Sequence, residues 1–435
     1  MAPRRLVVLL AAAVASGVLG GTPELAAAPT PSPSTSPTAS ASASPTSSPS
    51  PSAGEALQRI AARVHRALRG STAAHHHYKI TIAGLGDIAS HPNRASAPAS
   101  NEKILTAMTL VSMVGPSYHY VTRVMSATTP VDGVLAGDLN LIGSGDPTLT
   151  THNLARLAHR LHASGLRSVT GRLVVDDSRY SHGTLAPGWK HSFLPGESGA
   201  VDAFSVNNDN WRSSRPFLAN PSHANARLWR TALKKAGIHI TGGTHVGPAT
   251  GSAFELARHA SRPLSAIVKM TLSESINYYA EMMLREIGYQ DSGHGSRQSG
   301  IAGIRGFARR NGLPVGRLED GSGLSYANRE TPGTFVAWLA KLPSMPLTYK
   351  VVYDGLATSC KAGGTLRYRM CGPRVKHKVH AKTGTLTHIT SLSGYTETAG
   401  DRFVIFSFEF SRVRSITTAN KHIDAALKAI VRSPG

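Results

Sequence analysis

Apolar side chains recur along this chain with two different periods, and the switches between them outline the elements. Leu57, Ile60, Ala61, Val64 and Leu68 fall on one face of a helix over 57–69, because residues three and four apart share a helical face. Residues 78–85 alternate as a strand does, and His75, His76 and His77 ahead of them read as a solvated loop. A helical period resumes through Ile104, Leu105, Met108, Leu110 and Val111, which puts Ser100 at or just inside a helix start. Between about 120 and 262, strands such as 139–142 and 172–175 alternate with helices such as 153–163 and 224–236. Gly137, Gly143, Gly145 and Pro147 punctuate the first turns of that stretch, Gly242 and Gly243 its last. Further on, 272–287 reads as one helix stopped by Gly288, and 304–310 as another ending at Gly312 and Pro314. Residues 380–396 and 402–410 alternate and are joined by a turn containing Gly400, an antiparallel hairpin, before an amphipathic helix over 417–431.

The first fifty residues follow neither pattern. Arg4 and Arg5, an apolar run over 6–19 and small residues at Ala26, Ala27 and Ala28 have the order of a secretory signal peptide, 1–28. The apolar run is shorter than the roughly 20 residues a membrane span needs, so cleavage near Ala28 is expected, a retained N-terminal anchor being the alternative. Residues 29–53 are almost all Pro, Ser, Thr and Ala and read as a disordered tether, since such side chains cannot offset the entropy of ordering a backbone.

Export changes how the two cysteines are read. Cys360 and Cys371 lie close in sequence, and outside the cytosol such a pair is a disulfide rather than a metal or redox pair. The formal charge is +22, or +21 once Arg4, Arg5 and Glu24 are set aside, which favours an anionic wall or membrane surface as surroundings. Nucleic acid is not expected, because aromatic residues are few and no basic helix or finger motif occurs. His159 with His162, and His377 with His380, have metal-like spacings but lack a zinc signature such as His-Glu-x-x-His, so neither metal nor cofactor is implied. Asp176 and Asp177 read as a polar turn, and Trp189 and Trp211 as either packing or the wall of a sugar or peptide groove.

Candidate chemistry starts at Ser100-Asn101-Glu102-Lys103. A serine hydroxyl is a weak nucleophile, and a lysine one helical turn away can activate it if burial lowers the amine's pKa. Alone this spacing is weak evidence, since roughly one Ser-x-x-Lys arises by chance in a chain of this length, and Ser100 could be a simple helix cap. Two further segments follow in order: Ser275-Ile276-Asn277 at a helix start and Lys382-Thr383-Gly384-Thr385 on a strand. The ordinary readings are a cap for Ser275, a first-turn residue for Asn277 and a solvated edge charge for Lys382. Taken together the trio fits serine acyl transfer. Ser275 relays a proton, Asn277 holds Lys103 and the substrate, and Lys382 faces a carboxylate. Gly384 lets the substrate backbone come close, and the backbone N–H groups of Ser100 and Thr385 form an oxyanion hole.

At these residues the chain resembles the D-alanyl-D-alanine carboxypeptidases and endopeptidases of the penicillin-binding protein 4 type, peptidase family S13. Further segments carry the resemblance: 137–139, 145–149, 320–325 (Asp-Gly-Ser-Gly-Leu-Ser) and 363–366 (Gly-Gly-Thr-Leu). So does the gap of 175 residues from Ser100 to Ser275. The resemblance implies an α+β fold of the β-lactamase/transpeptidase type, a helix-covered antiparallel sheet formed by 54–120 and 262–435, with an α/β insert at 121–261. It implies Ser100 as acyl-ester nucleophile and Lys103 as its proton acceptor. Ser275 and Asn277 would be the second motif, with Lys382, Thr383 and Thr385 as the carboxylate-binding strand. Peptidoglycan stem peptides would be the substrate and β-lactams the inhibitors. Ile276 departs from the family's usual Asp. A β-lactamase or esterase on the same fold, and a silent wall-binding protein, are the competing readings.

Overall fold

The computed structural model describes residues 52–183, 185–194, 196–209 and 221–434. The signal peptide, all but the last residues of the tether, and Trp211 lie outside them. Ser52 caps helix α1 (Ala53–Leu68), its hydroxyl accepting from Glu55 N while the Glu55 carboxylate accepts from Ser52 N. Strands β1 (Ala73–Ile82) and β2 (Gly86–Ser90) follow. A 3₁₀ turn, Ala99–Glu102, then leads directly into helix α2 (Lys103–Val114). Next come β3 (Val121–Ser126), β4 (Val134–Leu135), β5 (Leu139–Ile142), α3 (Thr151–Ala163), β6 (Ser168–Val169) and β7 (Leu173–Asp176). After them run α4 (Ser222–Lys235), β8 (His239–Ile240), β9 (Thr244–Val246) and β10 (Phe254–Ala260). Five helices succeed these: α5 (Leu264–Ser273), α6 (Asn277–Ser292), α7 (Arg297–Arg310), α8 (Pro332–Lys341) and α9 (Pro346–Gly355). The chain closes with β11 (Ala357–Thr358), β12 (His380–Leu386), β13 (Ile389–Glu397), β14 (Phe403–Val413) and α10 (Ile416–Val431).

The main sheet has the order β11-β12-β13-β14-β1-β2 and is antiparallel throughout. One face packs Ile80, Phe406, Phe408 and Phe410 against α1 and α10, through Ile60, Val64, Ile423 and Leu427. The other meets a larger core built from α2 and α5 to α9. Both faces are therefore covered, and β13 and β14 read as nearly continuous buried runs. Residues 121–260 carry two further sheets, β10-β3-β5-β7-β9 and β4-β6-β8, around a core of their own with Trp229, Phe204 and Leu157 at its centre.

Three elements differ from the periodicity reading, each for a local reason. His75, His76 and His77 belong to β1, where His77 is buried opposite Glu409. The sheet register overrides their polar character. Residues 380–396 form two strands, because His388 takes φ 63° and turns the chain between β12 and β13. The helix expected over 272–287 is two helices broken at Glu274, Ser275 and Ile276, and α6 runs on past Gly288 to end at Gly293 with φ 75°. Gly288 is no stop signal. A Cβ there would meet Ser299 Oγ and lie 2.7 Å from Gly300 N, so the glycine lets α7 pack directly on α6.

Replacing Gly288 with Ala must push α7 away from the helix that carries Asn277. We expect Gly288→Ala to lower unfolding stability by about 1–3 kcal/mol, read as a drop in denaturant midpoint with an unchanged m-value.

Candidate active site

Ser100 sits in the 3₁₀ turn and Lys103 opens α2, so the pair is placed one turn apart at the joint of the two. Ala99, just before Ser100, is fully buried with φ 49°. A left-handed non-glycine residue costs on the order of 1 kcal/mol, so the turn is held in place by its surroundings. Ser275, in the break between α5 and α6, is strained the same way at φ 62°.

These breaks bring the three motifs to one point. Lys103 Nζ lies 2.9 Å from Ser100 Oγ, 2.7 Å from Asn277 Oδ1 and 2.6 Å from the Ser322 carbonyl oxygen. The Asn277 amide is oriented by its other side, where Nδ2 donates to the Glu197 carbonyl oxygen at 3.1 Å and Oε2 at 3.2 Å. Lys382 Nζ donates to Ser275 Oγ and to the Thr383 carbonyl oxygen, each at 2.8 Å. Both lysines are fully buried, whereas Ser100, Ser275 and Asn277 reach solvent. The site is thus a polar mouth over two sunken amines.

Burial drives the electrostatics. It pulls the Lys103 amine down to about 7, against the opposing pull of Asp320, Glu281, Glu197 and Glu102. Lys382 is also pushed well down, by burial first and by the neighbouring Lys103 second. Glu102, between Ser100 and Lys103 in sequence, is driven well up by burial and by Glu330, Asp320 and Glu409, which favours its neutral form. A neutral Lys103 has two N–H donors and one lone pair. The Ser322 and Asn277 oxygens can only accept, so they take the two N–H groups. The lone pair then faces the Ser100 hydroxyl, as a base must.

The third-motif strand is fixed from two sides. Thr383 Oγ1 donates to Thr365 Oγ1 at 2.8 Å, Thr365 N donates to the Ser273 carbonyl oxygen at 3.0 Å, and Gly364 N donates to Glu274 Oε1 at 2.7 Å. The Gly363-Gly364-Thr365 segment therefore ties β12 to the α5–α6 break. A disulfide between Cys360 and Cys371, with Cα atoms 4.8 Å apart, brackets it. Gly384 approaches protein rather than open space. A Cβ there would meet Ser391 Oγ and sit 2.9 Å from Pro98 O and 3.0 Å from Ser100 N. Its close neighbour is the turn that carries Ser100. Thr385, next along, is exposed.

Sequence reasoning named the five polar side chains but missed what holds them. Ser322 acts through its carbonyl, which no residue type marks. Its loop is secured by Glu281, whose Oε1 accepts from Gly321 N and Ser322 N at 3.0 and 2.8 Å. Buried Asp320 accepts from Gly323 N, Ser325 N, Asn328 Nδ2 and Trp189 Nε1. The Asp320–Ser325 segment carried a family likeness but no role, and Trp189 turns out to be bonded to it. Asp176 does form a polar turn, accepting from Ser178 N and Oγ.

Residues 87–208 and 212–432 match the model of the D-Ala-D-Ala carboxypeptidase 3 (S13) family. A D-alanyl-D-alanine carboxypeptidase of Actinomadura sp. (strain R39) is 27% identical over 377 residues, which cover 68% of this chain and 70% of that protein. Among solved structures, penicillin binding protein 4 from Haemophilus influenzae superposes with TM-score 0.76 at 21% identity, over 86% of this chain and 99% of that one. The Bd3459 predatory endopeptidase from Bdellovibrio bacteriovorus, acylated by penicillin G, has TM-score 0.54 at 17% identity over 82% and 93%. At those identities the structural likenesses establish the shared fold.

Because Lys103 is held near 7, its side-chain NMR resonances should titrate about three pH units below an ordinary lysine. Asn277→Asp adds a carboxylate beside the amine and should move that midpoint up by roughly one to three pH units. An unshifted Lys103 in the wild type would contradict the geometry described.

Proposed function

The chain belongs to the D-Ala-D-Ala carboxypeptidase 3 (S13) family, and from that premise we propose that it is an exported serine-type D-alanyl-D-alanine carboxypeptidase acting through an acyl-enzyme on Ser100. The observation that carries this reading is the Lys103 amine, with two carbonyl acceptors and the Ser100 hydroxyl as its three neighbours. No other buried amine of the described residues is so arranged against a solvent-reaching serine.

Ser100 Oγ attacks the carbonyl carbon of the terminal D-Ala-D-Ala bond as its proton passes to Lys103 Nζ. The oxyanion is met by the backbone N–H groups of Ser100 and Thr385. As the C–N bond breaks, Ser275 Oγ hands a proton to the leaving nitrogen and is resupplied from Lys382. D-alanine departs, and water releases the shortened stem peptide by the same route in reverse. Lys382 and Thr383 receive the substrate's terminal carboxylate, and Asn277 steadies both Lys103 and the substrate backbone. The same acyl chemistry serves endopeptidase cleavage, the activity in the name of Bd3459.

We assign residues 54–120 and 262–435 to the catalytic domain and 121–261 to an insert, because the latter carry their own sheets and core. Export rests on the residues of 1–28. In the described residues no helix is long and apolar enough to cross a membrane. The positive charge suits an anionic wall or membrane surface. The family's usual Asp is Ile276 here, half-buried as N-cap of α6 with no side-chain capping bond.

A fluorescent penicillin should label the wild type, and Ser100→Ala should abolish the band. D-alanine release from a pentapeptide stem should fall at least about 10³-fold in the same variant and about 10²–10⁴-fold in Ser275→Ala. A folded wild type that takes no label would sink the assignment, and rapid turnover of the penicilloyl ester would favour the β-lactamase reading.

A further inference from the structure

Helix α6 presents three polar residues one turn apart on one face: Asn277 in the site, then Glu281, then Arg285. Glu281 is committed to the Gly321 and Ser322 N–H groups. Arg285 is 6% exposed, yet its Nε and Nη1 are buried with no hydrogen-bond partner. Among the described residues no carboxylate lies within ion-pair distance of it. Arginine does not shed its charge inside a protein. Glu281 and Asp320 attract the guanidinium from a distance, but neither bonds its buried Nε and Nη1. A charged donor left unbonded out of water is strongly unfavourable, so the position calls for an acceptor.

The space for it is present. A cavity of about 200 Å³ opens beside Arg285, between residues 181–183, 185, 186 and 189 and helices α6 and α7, with Arg297, paired to Glu319 at 3.3 Å, also on its wall. Its other walls are Ala186, Trp189, Val201 and Glu281. Two guanidiniums and a carboxyl group among small apolar side chains suit a small molecule better than a polymer. We propose that this cavity binds a small carboxylate of amino-acid size, its carboxylate on Arg285 and Arg297. A multiply charged phosphate fits less well, since Glu281 shares the wall. Free D-alanine, the product if the activity above holds, is of this class. The cavity's chemistry does not depend on that activity.

The test is a calorimetric titration of the full-length protein with acetate, D-alanine and inorganic phosphate. Acetate and D-alanine should bind saturably, with dissociation constants of about millimolar order. Arg285→Gln should weaken both at least about tenfold, whereas Lys382→Met should leave the effect of Arg285 intact. Because Arg285→Gln alters a buried position, Gly183→Leu provides a second arm. A Cβ at Gly183 would lie 3.6 Å from Arg285 Nη2 and touch nothing else, so the longer side chain covers the guanidinium from the surface. It should weaken binding to the same degree. Absence of binding, binding of phosphate alone, or binding lost in Lys382→Met and kept in both cavity variants would overturn the proposal. The titration involves no acylation, so its outcome is separate from that of penicillin labelling.

Discussion

An amine buried where its charge is disfavoured is the constraint on which the rest of this structure turns. Lys103 is fully buried, and the interior disfavours its charge enough to bring it to about 7. Acidic groups nearby could undo that. Of the four that pull its pKa upward, Asp320 and Glu281 accept backbone N–H bonds from the 321–325 loop, and Glu102 is itself driven towards its neutral form. The loop needs those carboxylates to stay fixed, and Lys103 needs the loop for the Ser322 carbonyl. The carboxylates nearest the base therefore also build its socket.

The second dependency is mechanical. Ser275 serves the site from a break in what would otherwise be one continuous helix, at a backbone angle that serine does not favour. The break persists because Ser273 and Glu274 are bonded to Thr365 and Gly364, and Thr365 is bonded to Thr383 on β12. The 360–371 disulfide closes the loop that makes this link. Motifs two and three are thus held in mutual register by a segment that contributes no chemistry of its own.

That division explains what the sequence disclosed and what it concealed. Under the proposed reading Ser100, Lys103, Ser275, Asn277 and Lys382 each act through a side chain of a particular type, so their order and spacing stand out. The long amphipathic helices and the 139–142 strand were legible for a similar reason, since one buried face imposes a period. Tertiary packing decided the remainder. A carbonyl such as Ser322 O has no residue signature. The helix break at 274–276 has no proline or glycine to announce it, and Gly288 looked like a terminus because a helix–helix contact and a helix stop call for the same residue. The histidines of β1 were read as loop because propensity cannot register a sheet partner such as Glu409.

The two lysines make a coupled pair, and the coupling gives the site a direction. Lys103 depresses Lys382, since two ammonium groups in one buried pocket resist being charged together. Under the proposed reading the substrate arrives with a terminal carboxylate, which favours a charged Lys382. A charged Lys382 in turn favours a neutral Lys103, and only the neutral amine can take the Ser100 proton. Substrate binding at β12 therefore readies the base at α2 without any movement of the backbone. A ligand lacking that carboxylate would leave the pair undecided, which places selectivity in the electrostatics of the buried pair as well as in the shape of the mouth.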